Sequence, residues 1–171
     1  ASFDWLGRGD GLFGIPNAVV LMAVLYTLAH FLMSRTTVGR YIYAVGGNPE
    51  AARLSGVPLK KILLWVYAGS GALAGLGGMV MASQFRSGDP KYGLMYELYV
   101  IAAVVVGGTS LSGGRGKVFG TLIGAFIIAV IQNGMNLTGV QSYTQKVVLG
   151  MVLLAAVLLD MIKKRGWRLS A

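Results

Sequence analysis

Residues 107–117, GGTSLSGGRGK, hold the glycines, hydroxyls and cations that a phosphate cradle would need. The pattern for that chemistry is G-x-x-x-x-G-K-[ST], in which backbone amides and one lysine surround the phosphates. Gly108 and Gly113 have the right separation, but Gly114 stands where the lysine must be. Gly116–Lys117 is followed by Val118, and the residue five before Gly116 is Leu111. Nucleotide binding by this stretch is therefore not expected, and a sharp turn between two apolar helices remains, with Arg115 and Lys117 open to a partner. The rest of the chemical inventory is spare. There is no cysteine and one histidine, His30, so thiolate, disulfide and histidine-cluster chemistry has no residues to work with. No carboxylate pair lies within an apolar run. Asp160 sits one turn before Lys163 and Lys164, and pairing with them at a membrane interface explains it better than proton relay. No catalytic residue, metal site or other cofactor is expected. What remains are hydroxyls and amides inside apolar runs: Ser70, Ser83, Gln84, Gln132, Asn133 and Asn136. Ser70, Gln132, Asn133 and Asn136 suit a path for a neutral polyol. The same groups equally serve hydrogen bonds between helices.

A second cluster is mechanical rather than chemical. Between two long apolar runs stands RTTVGRYIYAVGGNPEAARLSGVPLKK, residues 35–61, in which Arg35, Arg40, Arg53, Lys60 and Lys61 face one acid, Glu50. Loops this basic stay on the cytoplasmic side of a membrane. Within it the signals of a short helix are complete. Asn48 is a good N-cap, Pro49 fits the first helical position, Glu50 suits the positive helix end, and Gly56 suits the C′ stop. A capped helix over about residues 48–56, with Ala51, Ala52, Arg53 and Leu54 inside it, reads as a docking element for a cytoplasmic partner.

The elements that hold these residues follow from composition. Of 171 residues, 55% are hydrophobic and 12% charged, against about 25% charged in ordinary soluble domains. The net charge of +9 invites nucleic acid as a partner. However, the cations gather at the edges of apolar runs, as topology signals do, so membrane lipid is the expected surrounding and nucleic acid is not. The runs cover about residues 15–33, 62–84, 98–108, 118–137 and 143–162. A helix needs ~20 residues to cross a bilayer, so the third is short, and a tilted, broken or re-entrant helix is expected there. The fold class is all-α: a polytopic transmembrane helix bundle of about five membrane segments, one short or broken. Strong positive charge recurs at every second connection, including Arg115 and Lys117 and the tail Lys163, Lys164, Arg165 and Arg168. The N-terminal Asp4, Arg8 and Asp10 and the connection with Arg86, Asp89, Lys91 and Glu97 do not carry it. Five crossings satisfy that alternation, with the 35–61 connection and the C-terminus cytoplasmic. Tyr92, Tyr96 and Tyr99 read as an aromatic belt at the outer interface. The 26 glycines include Gly71 and Gly75 in the second run and Gly116, Gly120 and Gly124, each four apart, at the start of the fourth. Small residues at that spacing let helices approach closely.

Three stretches then bear a family likeness. Glu50-Ala51-Ala52-Arg53-Leu54-Ser55-Gly56 is E-A-A-x-x-x-G. It resembles the signature loop of permease subunits in bacterial binding-protein-dependent ABC importers. VGRYIYAVGGNPEAARLSG (38–56), IAAVVVGGTSLSGGRGKVFGTLIGA (101–125) and QNGMNLTGVQSYTQKVVLG (132–150) resemble the ribose/xylose/galactose branch of monosaccharide permeases. The likeness spans nearly the whole chain, weakest before about Gly14. It implies that residues 1–171 are the C-terminal half of a permease transmembrane domain; the start at Ala1 by itself suggests a fragment or a processed piece. It further implies a multi-pass protein of the bacterial inner membrane, without enzymatic activity of its own. The partners would be an ATP-binding subunit that hydrolyses ATP, a second permease copy and a periplasmic or lipid-anchored sugar-binding protein. The 48–56 helix would be the coupling helix that rests on the ATPase, with Leu54 and Val57 offering apolar and Glu50 and Arg53 polar contact. Importers for branched-chain amino acids or another small solute are the nearest alternative, and a membrane scaffold subunit with no transport path is a third.

Overall fold

In a computed structural model, the protein is described at residue 9, residues 14–90 and residues 93–168, with side chains described as far as residue 162. Among the described residues there are seven α-helices: α1 Asn17–Arg35, α2 Thr37–Gly47, α3 Pro49–Leu54, α4 Leu59–Phe85, α5 Tyr96–Val106, α6 Val118–Leu137 and α7 Ser142–Arg168. They fall into two compact units, residues 1–94 and 95–171. Four helices among the described residues are long and apolar enough to cross a membrane: α1, α4, α6 and the Ser142–Ile162 part of α7. With the shorter apolar α5, they make this an all-α polytopic membrane protein. The expected runs and the helices agree to within a few residues, except that α7 continues through the basic tail as far as Arg168.

In the first unit, α1 ends where Thr36 takes an extended conformation and caps α2. Thr36 Oγ1 donates to the Leu32 carbonyl (2.7 Å) and accepts from the Gly39 amide (3.2 Å), so one hydroxyl closes one helix and opens the next. Gly39 then lies against the end of α1: a Cβ there would stand 2.5–2.7 Å from Leu32 O, Met33 O and Met33 Cα, an approach only glycine allows. The helix α2 differs from the loop expected between the first two apolar runs. Its apolar residues Ile42 and Val45 lie three apart and turn inward with Gly39. The core of the unit is small: Val45 of α2, Ala52 of α3 and Ile62 of α4 are buried together, flanked by Ile42, Val57 and Leu59. Along α4, 27 residues long, Ile62 and Ser83 are the buried positions, and the exposed side chains include Leu64, Trp65, Tyr67 and Leu73.

In the second unit the short helix is the centre. α5 has 11 residues, about 16 Å at ~1.5 Å per residue, roughly half of a hydrocarbon core of ~30 Å. It packs against both α6 and α7. Ala102 is fully buried and joins Ala103, Ile128 and Leu149 in one cluster. Alanine on α5 and glycine on α6 bring the two backbones close. A Cβ on Gly120 would overlap the Gly107 carbonyl, and one on Gly124 would overlap the Ala103 carbonyl. Helices α3, α5 and α6 end alike, with Gly56, Gly108 and Gly139 at φ +82°, +84° and +69°.

Candidate functional site

Residues 48–57 form a self-contained peg. Asn48 Oδ1 accepts from the Ala51 amide (3.0 Å), and Pro49 occupies the first helical position, where no amide hydrogen is needed. At the other end, the Gly56 amide donates to Arg53 O and the Val57 amide to Ala52 O, both 3.0 Å. These paired bonds close the last carbonyls and require the left-handed conformation that Gly56 supplies. Ser55 Oγ adds a bond to Ala51 O (2.9 Å). Six helical residues are too few to hold a helix by propensity; this one is held by its caps and by Ala52, buried against Val45 and Ile62.

That anchoring sorts the E-A-A-x-x-x-G residues by face. Ala52 points into the core, and its small side chain lets α3 sit close to α2 and α4. Leu54 is 79% exposed, and Glu50 and Arg53 are exposed beside it. Arg53 Nη2 donates to Glu50 Oε1 at 2.6 Å, one turn apart. With both side chains about two-thirds exposed, this pair contributes little to stability in water, but it fixes the orientation of both groups on the outward face. Val57, expected beside Leu54 as an apolar contact for a partner, is half-buried against the Val45–Ala52–Ile62 core, because the helix stop at Gly56 folds it back.

The other singled-out residues divide between the units. Ser70, Gly71 and Gly75 lie on exposed turns of α4, and a Cβ on either glycine would meet no atom within 4 Å. Gly116 does not belong to the α6 stripe, since that helix begins at Val118; it lies in the preceding loop against the Thr109 side chain. Gly120 and Gly124 face α5. Gln132, Asn133 and Asn136 occupy the last two turns of α6, with Gln132 half-buried and the asparagines exposed. Gln145, not anticipated, donates to Asn136 Oδ1 and to Val140 O, both at 2.9 Å, and so fastens the α6–α7 turn. Tyr96 and Tyr99 stack edge to face with centroids 6.1 Å apart. Lys91, Tyr92 and the N-terminal Asp4, Arg8 and Asp10 lie outside the described residues.

Asp160 has a partner that sequence proximity did not indicate. Ser110 Oγ donates to Asp160 Oδ2 at 3.2 Å across fifty residues of chain. Ser110 is buried and is the hub of its loop: its Oγ accepts from the Ser112 amide (3.3 Å), its amide donates to Arg115 O (3.0 Å), and its carbonyl accepts from the Gly113 amide (3.1 Å). The expected partners Lys163 and Lys164 have side chains outside the described residues. The glycine-rich stretch is thus a folded turn tied to α7.

The family described as "Branched-chain amino acid transport system / permease component" matches residues 2–157. The chain belongs to this permease family. The ribose import permease protein RbsC of Escherichia coli (strain K12) is 48% identical over 158 residues, covering 92% of this chain and 49% of that protein. RbsC of Bacillus subtilis (strain 168) is 47% identical with the same coverage. The xylose transport system permease protein XylH of Escherichia coli (strain K12) is 44% identical over 152 residues, 89% of this chain and 39% of that protein. The chain spans about half the length of the curated relatives it matches. No solved structure matches it.

Proposed function

We propose that this permease-family chain is part of the translocating subunit of an ATP-driven importer for a monosaccharide in a bacterial inner membrane, and that it corresponds to the C-terminal half of that subunit. The ribose and xylose permeases among its relatives support the sugar class. The observation that carries the coupling role is the face-sorted α3, with Ala52 held in a core and Glu50, Arg53 and Leu54 turned outward from a helix closed at both ends. A separate ATP-binding subunit receives that face, and ATP-driven movement of the subunit reaches the membrane helices through the joint of α3 with α2 and α4. A second permease copy and an external sugar-binding protein complete the assembly. Ser70, Gln132, Asn133 and Asn136 offer hydroxyl and amide groups to a polyol, while Gly71 and Gly75 leave room for helices of the assembly to approach α4.

The test is uncoupling. Gly56→Asp places a side chain at φ +82°, where an L-residue is strained by ~1–2 kcal/mol, and adds a charge beside the docking face. Glu50→Lys removes the ion pair to Arg53 and reverses the charge. In the full-length permease with its ATPase, both variants are expected to reach the membrane at normal levels. ATP-dependent uptake is expected to fall about tenfold or more, as a loss of ~1.4 kcal/mol or above in productive docking would give. Normal uptake together with normal ATPase stimulation in both would remove the coupling role. The family's description favours one second reading, a permease for branched-chain amino acids or another small solute. Uptake of labelled pentoses, hexoses and amino acids by the same complex separates the two, and no ATP-dependent uptake of any of them would point to a scaffold.

A further inference from the structure

The cations of the first unit are not all used alike. On α3, Arg53 is neutralised by Glu50. Arg35 at the end of α1, Arg40 on α2, and Lys60 and Lys61 in the first turn of α4 are all exposed. None of their side chains has a hydrogen bond, ion pair or ring contact among the described residues. Three of the four stand at the ends of helices long and apolar enough to cross a membrane, with apolar residues close beside them: Leu32 and Met33 one residue before Arg35, across Ser34, and Ile62 and Leu63 directly after Lys61. The fourth is carried by α2, which packs on both α1 and α4 and so holds the two helix ends in one block. While Ile42 and Val45 of α2 face the core, its exposed arc presents Arg40, Ala44 and Tyr41. A cation beside an exposed tyrosine is the pairing that suits the headgroup layer of a bilayer. Membrane topology needs only the sign of these charges and their side. The arrangement adds that their side chains have no partner among the described residues and that the helices carrying them are joined through α2.

We propose that Arg35, Arg40, Lys60 and Lys61 form a binding site for the phosphate headgroups of anionic phospholipids, which seats the α2–α3 block on the membrane surface. The ligand is a lipid rather than an acidic protein face because the cations sit at the ends of the spanning helices, whereas α3, the element offered to a protein partner, has its own charge already paired. The site does not depend on which solute the complex carries.

Trp65, one turn beyond Lys61 and exposed, is a built-in reporter. In the full-length permease complex, with the remaining tryptophans replaced by phenylalanine, its fluorescence is measured in vesicles of phosphatidylcholine and phosphatidylglycerol in which one or the other lipid is brominated. Preferential quenching by the brominated phosphatidylglycerol is expected, unaffected by added inorganic phosphate. Each neutralised cation is expected to weaken that preference by about fivefold. Arg40→Gln, outside the spanning helices, gives one such step, and Arg35→Gln/Arg40→Gln/Lys60→Gln/Lys61→Gln abolishes the preference. The Glu50→Gln/Arg53→Gln pair leaves it intact. A cysteine at Ser55, labelled from the same side in every variant, shows that orientation is preserved; were the fourfold variant inverted, Arg40→Gln alone decides. Equal quenching by the two lipids in the unsubstituted complex, or a preference that survives Arg40→Gln and the fourfold change, overturns the proposal. So does loss of ATPase stimulation with the lipid preference unchanged, which would assign the cations to a protein face. Failure of sugar uptake has no bearing on this readout.

Discussion

Asn48 closes the N-terminal end of α3, and its contribution can be removed singly. Asn48→Ala deletes the side-chain acceptor for the Ala51 amide and is expected to cost ~1 kcal/mol. Hydrogen exchange at the amides of residues 51–54 should accelerate about fivefold as a result, while α6 is unchanged. Glycines divide just as sharply. Gly124→Val drives a branched side chain into the Ala103 carbonyl, and a loss of ~1–3 kcal/mol is expected from overpacking, seen as a lower thermal midpoint of the purified permease. Gly71→Ala meets open space within this chain, so an equal loss there would report a neighbour supplied by the rest of the assembly. The caps of α3 were legible in the sequence because capping is local: Asn48, Pro49 and Gly56 lie within nine positions and each acts on its own backbone. The glycine contacts were only half legible. Gly71/Gly75 and Gly120/Gly124 have the same spacing, and spacing cannot say which stripe meets a helix of the same chain. The packed pair has small residues opposite it, Ala103 and Gly107 on and beside α5.

Among the elements, α2 and α5 separate what pattern shows from what it hides. The shortness of α5 was visible as an apolar run too brief to span. Its role as the buried hub of α6 and α7 was not visible, since an unbroken apolar stretch has no preferred face. The α2 helix was missed because its basic residue and its glycines resemble a loop; the useful signals were the Thr36 cap and the inward Ile42–Val45 pair. The tie between Ser110 and Asp160 lay beyond reading, fifty residues apart on different elements. It makes a prediction for the α5–α6 connection. Asp160→Ala removes a charged acceptor from a buried hydroxyl, which costs ~1–3 kcal/mol, and residues 108–116 should then become several-fold more open to proteolysis. Asp160→Asn keeps an acceptor and should restore most of the protection. If both substitutions leave cleavage unchanged, the backbone bonds around Ser110 suffice to hold the turn.

At the scale of the whole molecule, charge and length speak differently. Length and composition supply four crossing helices and a short fifth, while the alternation of basic connections calls for five crossings. The two are reconciled if α5, with the irregular backbone on either side of it, passes through the membrane within the protein, where non-helical segments are tolerated. Cysteines at Ser55 and Ser112 are then expected to react with an impermeant reagent from the same side, and one at Ser87 from the other. Reaction of Ser55 and Ser112 from opposite sides would establish four crossings instead. The closed ends of α3 have one more consequence, kinetic rather than structural. A partner that meets it finds a helix already ordered, so recognition spends little on immobilising the segment. Encounter can therefore proceed without a folding step, and the contact energy of the exposed face goes into holding the partner rather than into ordering the helix.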